Sequence, residues 1–116
     1  MIIAIASIGK ELSSKLSPHF SRAKYYIFIN SETKEVEKIK ENPFFEGHSP
    51  GEIPKFIKKE GASVLISGSM GQKAISWFKK LEIQPITSEI ITVKTALDNY
   101  LNKTITDADS CNEVKK

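Results

Sequence analysis

Ile2-Ile3-Ala4-Ile5-Ala6-Ser7 is a short, unbroken run of Ile and Ala, and Ser7-Ile8-Gly9 ends it. Apolar runs of this length and branching suit a central strand buried on both faces. The run has no basic flank and is too short for the apolar part of a secretion signal, so it reads as a strand. A second stretch of the same kind is Ser63-Val64-Leu65-Ile66-Ser67. These two are the most apolar strand candidates in the chain, which makes them expected neighbours at the centre of one sheet.

Working outward, residues 10–22 are polar, carry the breaker Ser17-Pro18 and read as a long connection. Residues 24–30, Lys-Tyr-Tyr-Ile-Phe-Ile-Asn, are aromatic and β-branched and read as a strand. Ser31-Glu32-Thr33-Lys34 reads as a turn into a less buried edge strand at 35–40, where Val36 and Ile39 are set among charges. Asn42-Pro43 and His48-Ser49-Pro50-Gly51 then bracket a loop. A helix carrying Ile53, Phe56 and Ile57 on one face follows. Pro54 has no amide donor and must sit in the first turn, so this helix starts near Gly51, and Gly61 ends it.

After residues 63–67, Gly68-Ser69-Met70-Gly71 turns the chain into a helix bearing Ala74, Ile75, Phe78 and Leu81. Ile83 to Ile86 predicts a short strand, and Pro85 places it at an edge. Thr92 is a good N-cap for a last helix, Val93–Leu101, with Val93, Ala96, Leu97, Tyr100 and Leu101 along one stripe. The expected order is a strand, a β-hairpin, then α, β, α, β, α: an α/β domain with helices packed on a mixed sheet. Residues 1–105 form the domain, and residues 106–116 form a polar tail expected to fray.

A chain of 116 residues, 40% hydrophobic and 27% charged, fits one globular domain. No apolar run approaches the roughly 20 residues that span a bilayer, and no targeting signal stands out, so the expected location is cytoplasmic with no membrane contact. Cys111 is the one cysteine, which excludes an internal disulfide. The net charge of +3 is mild. Lys34, Lys38, Lys40, Lys55, Lys58 and Lys59 alternate with Glu32, Glu35, Glu37, Glu41, Glu52 and Glu60, which is a solvated mixed surface and not a nucleic-acid-binding patch.

Two segments carry chemistry. Gly68-Ser69-Met70-Gly71 follows a buried strand and opens a helix, so backbone amides there can approach an anion. It matches neither the dinucleotide fingerprint nor a P-loop, and a tight strand-to-helix turn explains the glycines equally well. Gln72 is either a pocket polar group or a surface residue. The second segment is Ser17-Pro18-His19-Phe20-Ser21-Arg22. His19 can coordinate a metal through either ring nitrogen, Arg22 can pair bidentately with an anion, and Phe20 reads as a core plug. Chemistry alone favours a loop-pinning hydrogen bond for His19 over a ligand role. His48, on a Gly/Pro-bounded loop, cannot complete a structural zinc site with His19 alone. Cys111, Asp107 and Asp109 lie in the tail, and Asp98 lies on the polar face of the last helix. No converging carboxylates accompany the first strand, and no nucleophile elbow surrounds Ser7, Ser67 or Ser69, so no catalytic set emerges.

Ser17-Pro18-His19-Phe20-Ser21-Arg22-Ala23 resembles the S-P-H-F-G-R-A motif of the dinitrogenase iron-molybdenum cofactor biosynthesis family, the group of NifX, NafY and the NifB C-terminal domain. Glu41-Asn42-Pro43 and Gly47-His48 resemble its E-N-P and H-G elements, and Val64–Gly71 resembles its V-V-I-x-G-x-I-G segment. The order matches over roughly residues 1–105, although Ser21 replaces the usual Gly and no cysteine lies near His19. The resemblance implies a three-layer, ribonuclease H-like fold with sheet order 3-2-1-4-5. It also implies a role in holding or carrying an iron–sulfur or iron–molybdenum cluster, with His19 as a candidate metal ligand. The resulting expectation is a non-catalytic carrier whose partners are a metallocluster or anionic small molecule and a cluster-assembly or acceptor protein. Ser7, Gly9, His19, Arg22, His48, Gly68, Ser69 and Gly71 would line the pocket, where the first and fourth strands end. The alternative is a metal-free small-anion or protein–protein adaptor on the same fold, and a hydrolase or nuclease ranks last.

Overall fold

The computed structural model describes residues 1–45, 47 and 51–102. Its elements are β1 (Ile2–Ser7), β2 (Tyr25–Asn30), β3 (Val36–Glu41), α1 (Glu52–Lys59), β4 (Ala62–Ser67), α2 (Gln72–Lys80), β5 (Gln84–Thr87) and α3 (Val93–Leu101), with a single 3₁₀ turn at Phe20–Arg22. The five strands form one mixed sheet in the order β3-β2-β1-β4-β5. As the two apolar runs require, β1 and β4 are parallel neighbours at the centre, with Ile3 beside Val64 and Ile5 beside Ile66. On its other side β1 pairs antiparallel with β2, which forms the expected hairpin with β3.

Strand side chains alternate between faces, and the two faces differ in size. Ala4 and Ala6 of β1 lie on the face covered by α1 and α2, in a core with Phe20, Tyr26, Phe28, Ile53, Ile57, Leu65 and Phe78. Small residues in the central strand leave room there for aromatic rings, and Phe20 packs edge-on against Phe78 with ring centroids 5.6 Å apart. Ile3 and Ile5 point to the opposite face, where Ile27, Ile29, Val64, Ile66 and Ile86 meet Val93, Ala96 and Leu97 of α3. The result is three layers: α1 and α2, the sheet, and α3.

The edges are the strands whose sequences tolerate water. Val36 and Ile39 of β3 remain 39% exposed, and Pro85 sits in β5, which among the described residues pairs only with β4. The last strand is displaced by one residue from the expected Ile83–Ile86. Ile83 is spent on the end of α2: its amide donates to Phe78 O (2.8 Å) and Glu82 N donates to Lys79 O (3.0 Å). That double closure places Glu82 at φ 64, the left-handed conformation where glycine is usual. Gly51, at φ 89, starts α1 as expected, and a Cβ there would press on the Trp77 ring at 2.8 Å.

Among the described residues, no helix is long and apolar enough to cross a membrane. His48, the tail with Asp107, Asp109 and Cys111, and the domain boundary expected at residue 105 lie outside the described residues.

Candidate functional site

Strands β1, β4 and β5 run in parallel, so their carboxyl ends share one end of the sheet. From there β1 leads to its antiparallel partner on one side, while β4 leads through α2 to β5 on the other. This divergence is the kind of switch point at which open α/β sheets bind ligands. Here the long connection enters it. Ser17 N donates to Ala6 O (2.9 Å) and Gly68 N donates to Ser17 O (3.0 Å), so residue 17 bridges the ends of β1 and β4. The polar stretch read from sequence as a plain connection thus adds hydrogen-bonded backbone across the crevice.

Gly68 makes that crossing possible. A Cβ at this position would lie 2.7 Å from both Ser17 O and Pro18 O and 2.8 Å from Pro18 Cα. The opposing atoms are backbone and cannot swing away, so close approach is the reason for this glycine. Gly71 differs: it has φ −78, and a Cβ there meets nothing within 4 Å.

His19 emerges from this crossing, exposed to solvent. Its Nδ1 lies 3.1 Å from Ser69 Oγ, and Ser69 Oγ donates to Pro18 O at 2.9 Å. The adjoining backbone is held as well: Phe20 N donates to Ser69 O (3.2 Å) and Ser17 Oγ donates to His19 O (2.7 Å). Behind the loop, the Phe20 ring is the expected plug in the aromatic core, and the buried Tyr26 hydroxyl donates to Phe20 O at 2.7 Å. Burial pushes the Tyr26 phenol well above its ordinary value, which keeps it a neutral donor.

The far end of the segment is fixed by Asn42. Its Nδ2 donates to Ser21 O (3.1 Å) and Ala23 O (2.9 Å), and its Oδ1 accepts from Phe44 N (2.8 Å). Asn42 was not among the expected site residues. Its local signal was readable, because Asn before Pro favours a side-chain-closed turn, but its bonds to residues 21 and 23 were not. The same holds for Tyr26.

The expected site residues separate into groups. His19, Gly68 and Ser69 are brought together, and Gly71 follows as the N-cap of α2. Arg22 ends the 3₁₀ turn, exposed, with its amide donating to His19 O (3.1 Å). Ser7 and Gly9 instead close on each other: Ser7 Oγ donates to Gly9 O (2.7 Å) and accepts from Gly9 N (3.1 Å). Ser7 is fully buried and bridged to Leu16, so its hydroxyl is committed to the turn after β1.

Electrostatically, the notable feature is the start of α2. No side chain caps it, its first turn holds no acidic residue, and Gly71, Gln72 and Lys73 are exposed. Amides in a first helical turn have no partner within the helix, and they carry the positive end of its dipole. An open cavity of about 380 Å³ runs along the same helix, lined by Gln72, Lys73, Ser76, Trp77 and Lys80. Gln72, left open between pocket and surface by the sequence, is exposed and lines this cavity.

The donor set limits which metals fit. Among the described residues, no group of three His, Cys, Asp or Glu side chains could hold an ion. A bare divalent ion, which normally takes three or four protein donors, does not fit His19 by itself.

Comparison with known proteins agrees with this architecture. No curated protein matches the chain in sequence. An NMR structure of a NifB-type protein from Thermotoga is 28% identical, with a TM-score of 0.78 over 91% of each chain. The apo form of the orange protein from Desulfovibrio gigas is 25% identical, with a TM-score of 0.84 over 92% of each chain. A dinitrogenase-type protein from Methanocaldococcus jannaschii, 20% identical, shares the fold with a TM-score of 0.66 over 92% of this chain and 93% of its own. The family model described as dinitrogenase iron-molybdenum cofactor matches residues 1–103. All of the described residues, including the histidine loop and the glycine turn clamped beneath it, therefore fall within that match, and the chain belongs to the dinitrogenase iron-molybdenum cofactor family.

Proposed function

We propose that this protein is a carrier for an anionic metallocluster of the iron–sulfur or iron–molybdenum type, or for an assembly intermediate of one, and that it performs no chemistry on its cargo. One observation carries the reading: an exposed histidine is pinned through one ring nitrogen to Ser69, a residue of the turn that leads into an uncapped helix N-terminus. The pinned ring offers its other nitrogen to a metal with an open position. The α2 amides stabilise negative charge on sulfide or thiolate ligands, and exposed Arg22 adds a cation three residues beyond His19. A single protein donor suits a carrier, since the cargo must leave as well as arrive. An assembly or acceptor protein would take the cluster from this open face.

The test is titration of purified apo-protein, under anaerobic conditions, with a synthetic [4Fe–4S] thiolate cluster or isolated iron–molybdenum cofactor, read by visible absorption. His19→Ala is expected to weaken capture by more than about tenfold, the scale lost even when an outer partner of a ligand is removed. The same change should cost about 1 kcal/mol or less of stability, because it deletes one exposed hydrogen bond. Arg22→Ala should weaken capture less, and the loss should shrink as salt rises. Wild-type capture by His19→Ala would rule out the ligand role.

A second reading is a metal-free small-anion adaptor, favoured by the lack of a three-ligand group among the described residues. Sulfate or phosphate that binds apo-protein as tightly as the cluster, with no dependence on His19, would establish it.

A further inference from the structure

Two short contacts share one hydroxyl proton. Ser69 Oγ lies 2.9 Å from Pro18 O and 3.1 Å from His19 Nδ1. A carbonyl oxygen only accepts, so the Pro18 contact is a hydrogen bond only if Ser69 gives it its one O–H. That leaves Ser69 Oγ as an acceptor toward the ring, and His19 Nδ1 must carry the proton between them. In the other arrangement, Ser69 would donate to Nδ1. Two oxygens would then face each other at 2.9 Å with no proton between them.

We infer that Ser69 is a positioning residue that locks neutral His19 in the Nδ1–H tautomer and presents the Nε2 lone pair outward for a metal. The inference deepens the carrier reading and rests on it for the role of the lone pair. Free imidazole side chains prefer the opposite tautomer, with the proton on Nε2, where it blocks that nitrogen as a ligand. The hydrogen bond made by one ring nitrogen decides which nitrogen remains to coordinate, and outer partners of this kind orient the ligand as well. Ser69 is itself held, because its carbonyl accepts from Phe20 N at 3.2 Å and Gly68 before it is packed against the Pro18 backbone. The carbonyl-to-serine-to-imidazole relay is therefore built from the two segments that the glycine clamps together.

The experiment is a long-range proton–nitrogen correlation spectrum of the apo-protein in alkaline buffer, where imidazoles are neutral. A His19→Gln sample assigns the signals. Wild type should show a protonated Nδ1 and a bare Nε2. Ser69→Ala should revert to the Nε2–H form, and Ser69→Thr, which keeps the hydroxyl, should restore Nδ1–H. In parallel, Ser69→Ala should bind the synthetic [4Fe–4S] thiolate cluster about ten- to a hundredfold more weakly than wild type, with Ser69→Thr close to wild type. An Nε2–H tautomer in wild type, or an unchanged tautomer in Ser69→Ala, overturns the inference even if the cluster binds. The expected tautomers with no cluster capture by wild type uphold the Ser69 assignment and overturn the carrier reading instead.

Discussion

Helices α2 and α3 both start at the carboxyl end of a parallel strand, on opposite faces of the sheet, and they treat their first turns in opposite ways. In α3 every early amide has an acceptor: Val93 N donates to Ser14 O (2.8 Å), Lys94 N to Leu12 O (2.9 Å) and Thr95 N to Thr92 Oγ1 (3.1 Å). The connection after β1 supplies two of the three. In α2 no side chain caps the start, and the N-cap is a glycine. The same connection that seals α3 thus leaves α2 open and sets His19 against Ser69 of the turn before it. A protein that merely needed stable helices would gain from capping both. The asymmetry teaches that one helix start serves the fold, and it is consistent with the other being kept for a ligand.

This comparison can be broken from either side. The largest effect should come from Gly68→Ala, which drives a Cβ into the backbone of Ser17 and Pro18. Overpacking against backbone should cost about 2 kcal/mol in urea denaturation and displace the His19 loop, so capture should fall together with stability. A neutral Gly68→Ala would mean that the loop does not need its close seat on β4. Thr92→Ala comes next. It removes the one side-chain cap of α3 and should cost about 1 kcal/mol with cluster capture unchanged, because α3 lies across the sheet from α2. Reduced capture would show that the two helix starts are coupled through residues 12–17. The smallest change in stability is expected of Gly71→Asp. Its extended backbone suits an N-cap carboxylate, so stability should rise by a few tenths of a kcal/mol, about the difference between Gly and Asp at this position. The same carboxylate would occupy the α2 amides and repel an anionic cargo, so capture should drop at least about tenfold. A more stable protein that binds as before would remove the α2 start from the proposed site.

Much of the fold could be read directly from the chain. The apolar runs of β1 and β4, the aromatic β2 and the charged β3 each announce their depth in the sheet, because side-chain alternation and burial are local consequences of residue type. Pro54, Gly61, Pro85 and Thr92 mark boundaries for equally local reasons of backbone geometry. At Ile83, by contrast, a residue whose type suits a strand closes the preceding helix through its backbone amide, and Glu82 takes a conformation that its type does not favour. At the site, the sequence and its family resemblance placed His19, Gly68, Ser69 and Gly71 in one pocket lining without specifying the contacts among them. Ser7 and Gly9 were named beside them, yet the structure commits each to the other.

The sequence by itself determined the elements, their order and the residue types able to meet an anion or a metal, since propensity, periodicity and turn chemistry act over a few neighbouring residues. Only the tertiary structure decided which of those residues meet. His19 and Ser69 are 50 residues apart in the chain, and nothing local to either specifies the other. They touch because β1 and β4 pair at the centre of the sheet, because Gly68 lets the loop settle on the strand end, and because Phe20, Tyr26 and Asn42 anchor it there. Whether an imidazole pins a loop or offers a ligand also depends on which of its nitrogens finds a partner. That is a matter of distance between segments, and in this protein the fold brings His19 Nδ1 within 3.1 Å of Ser69 Oγ.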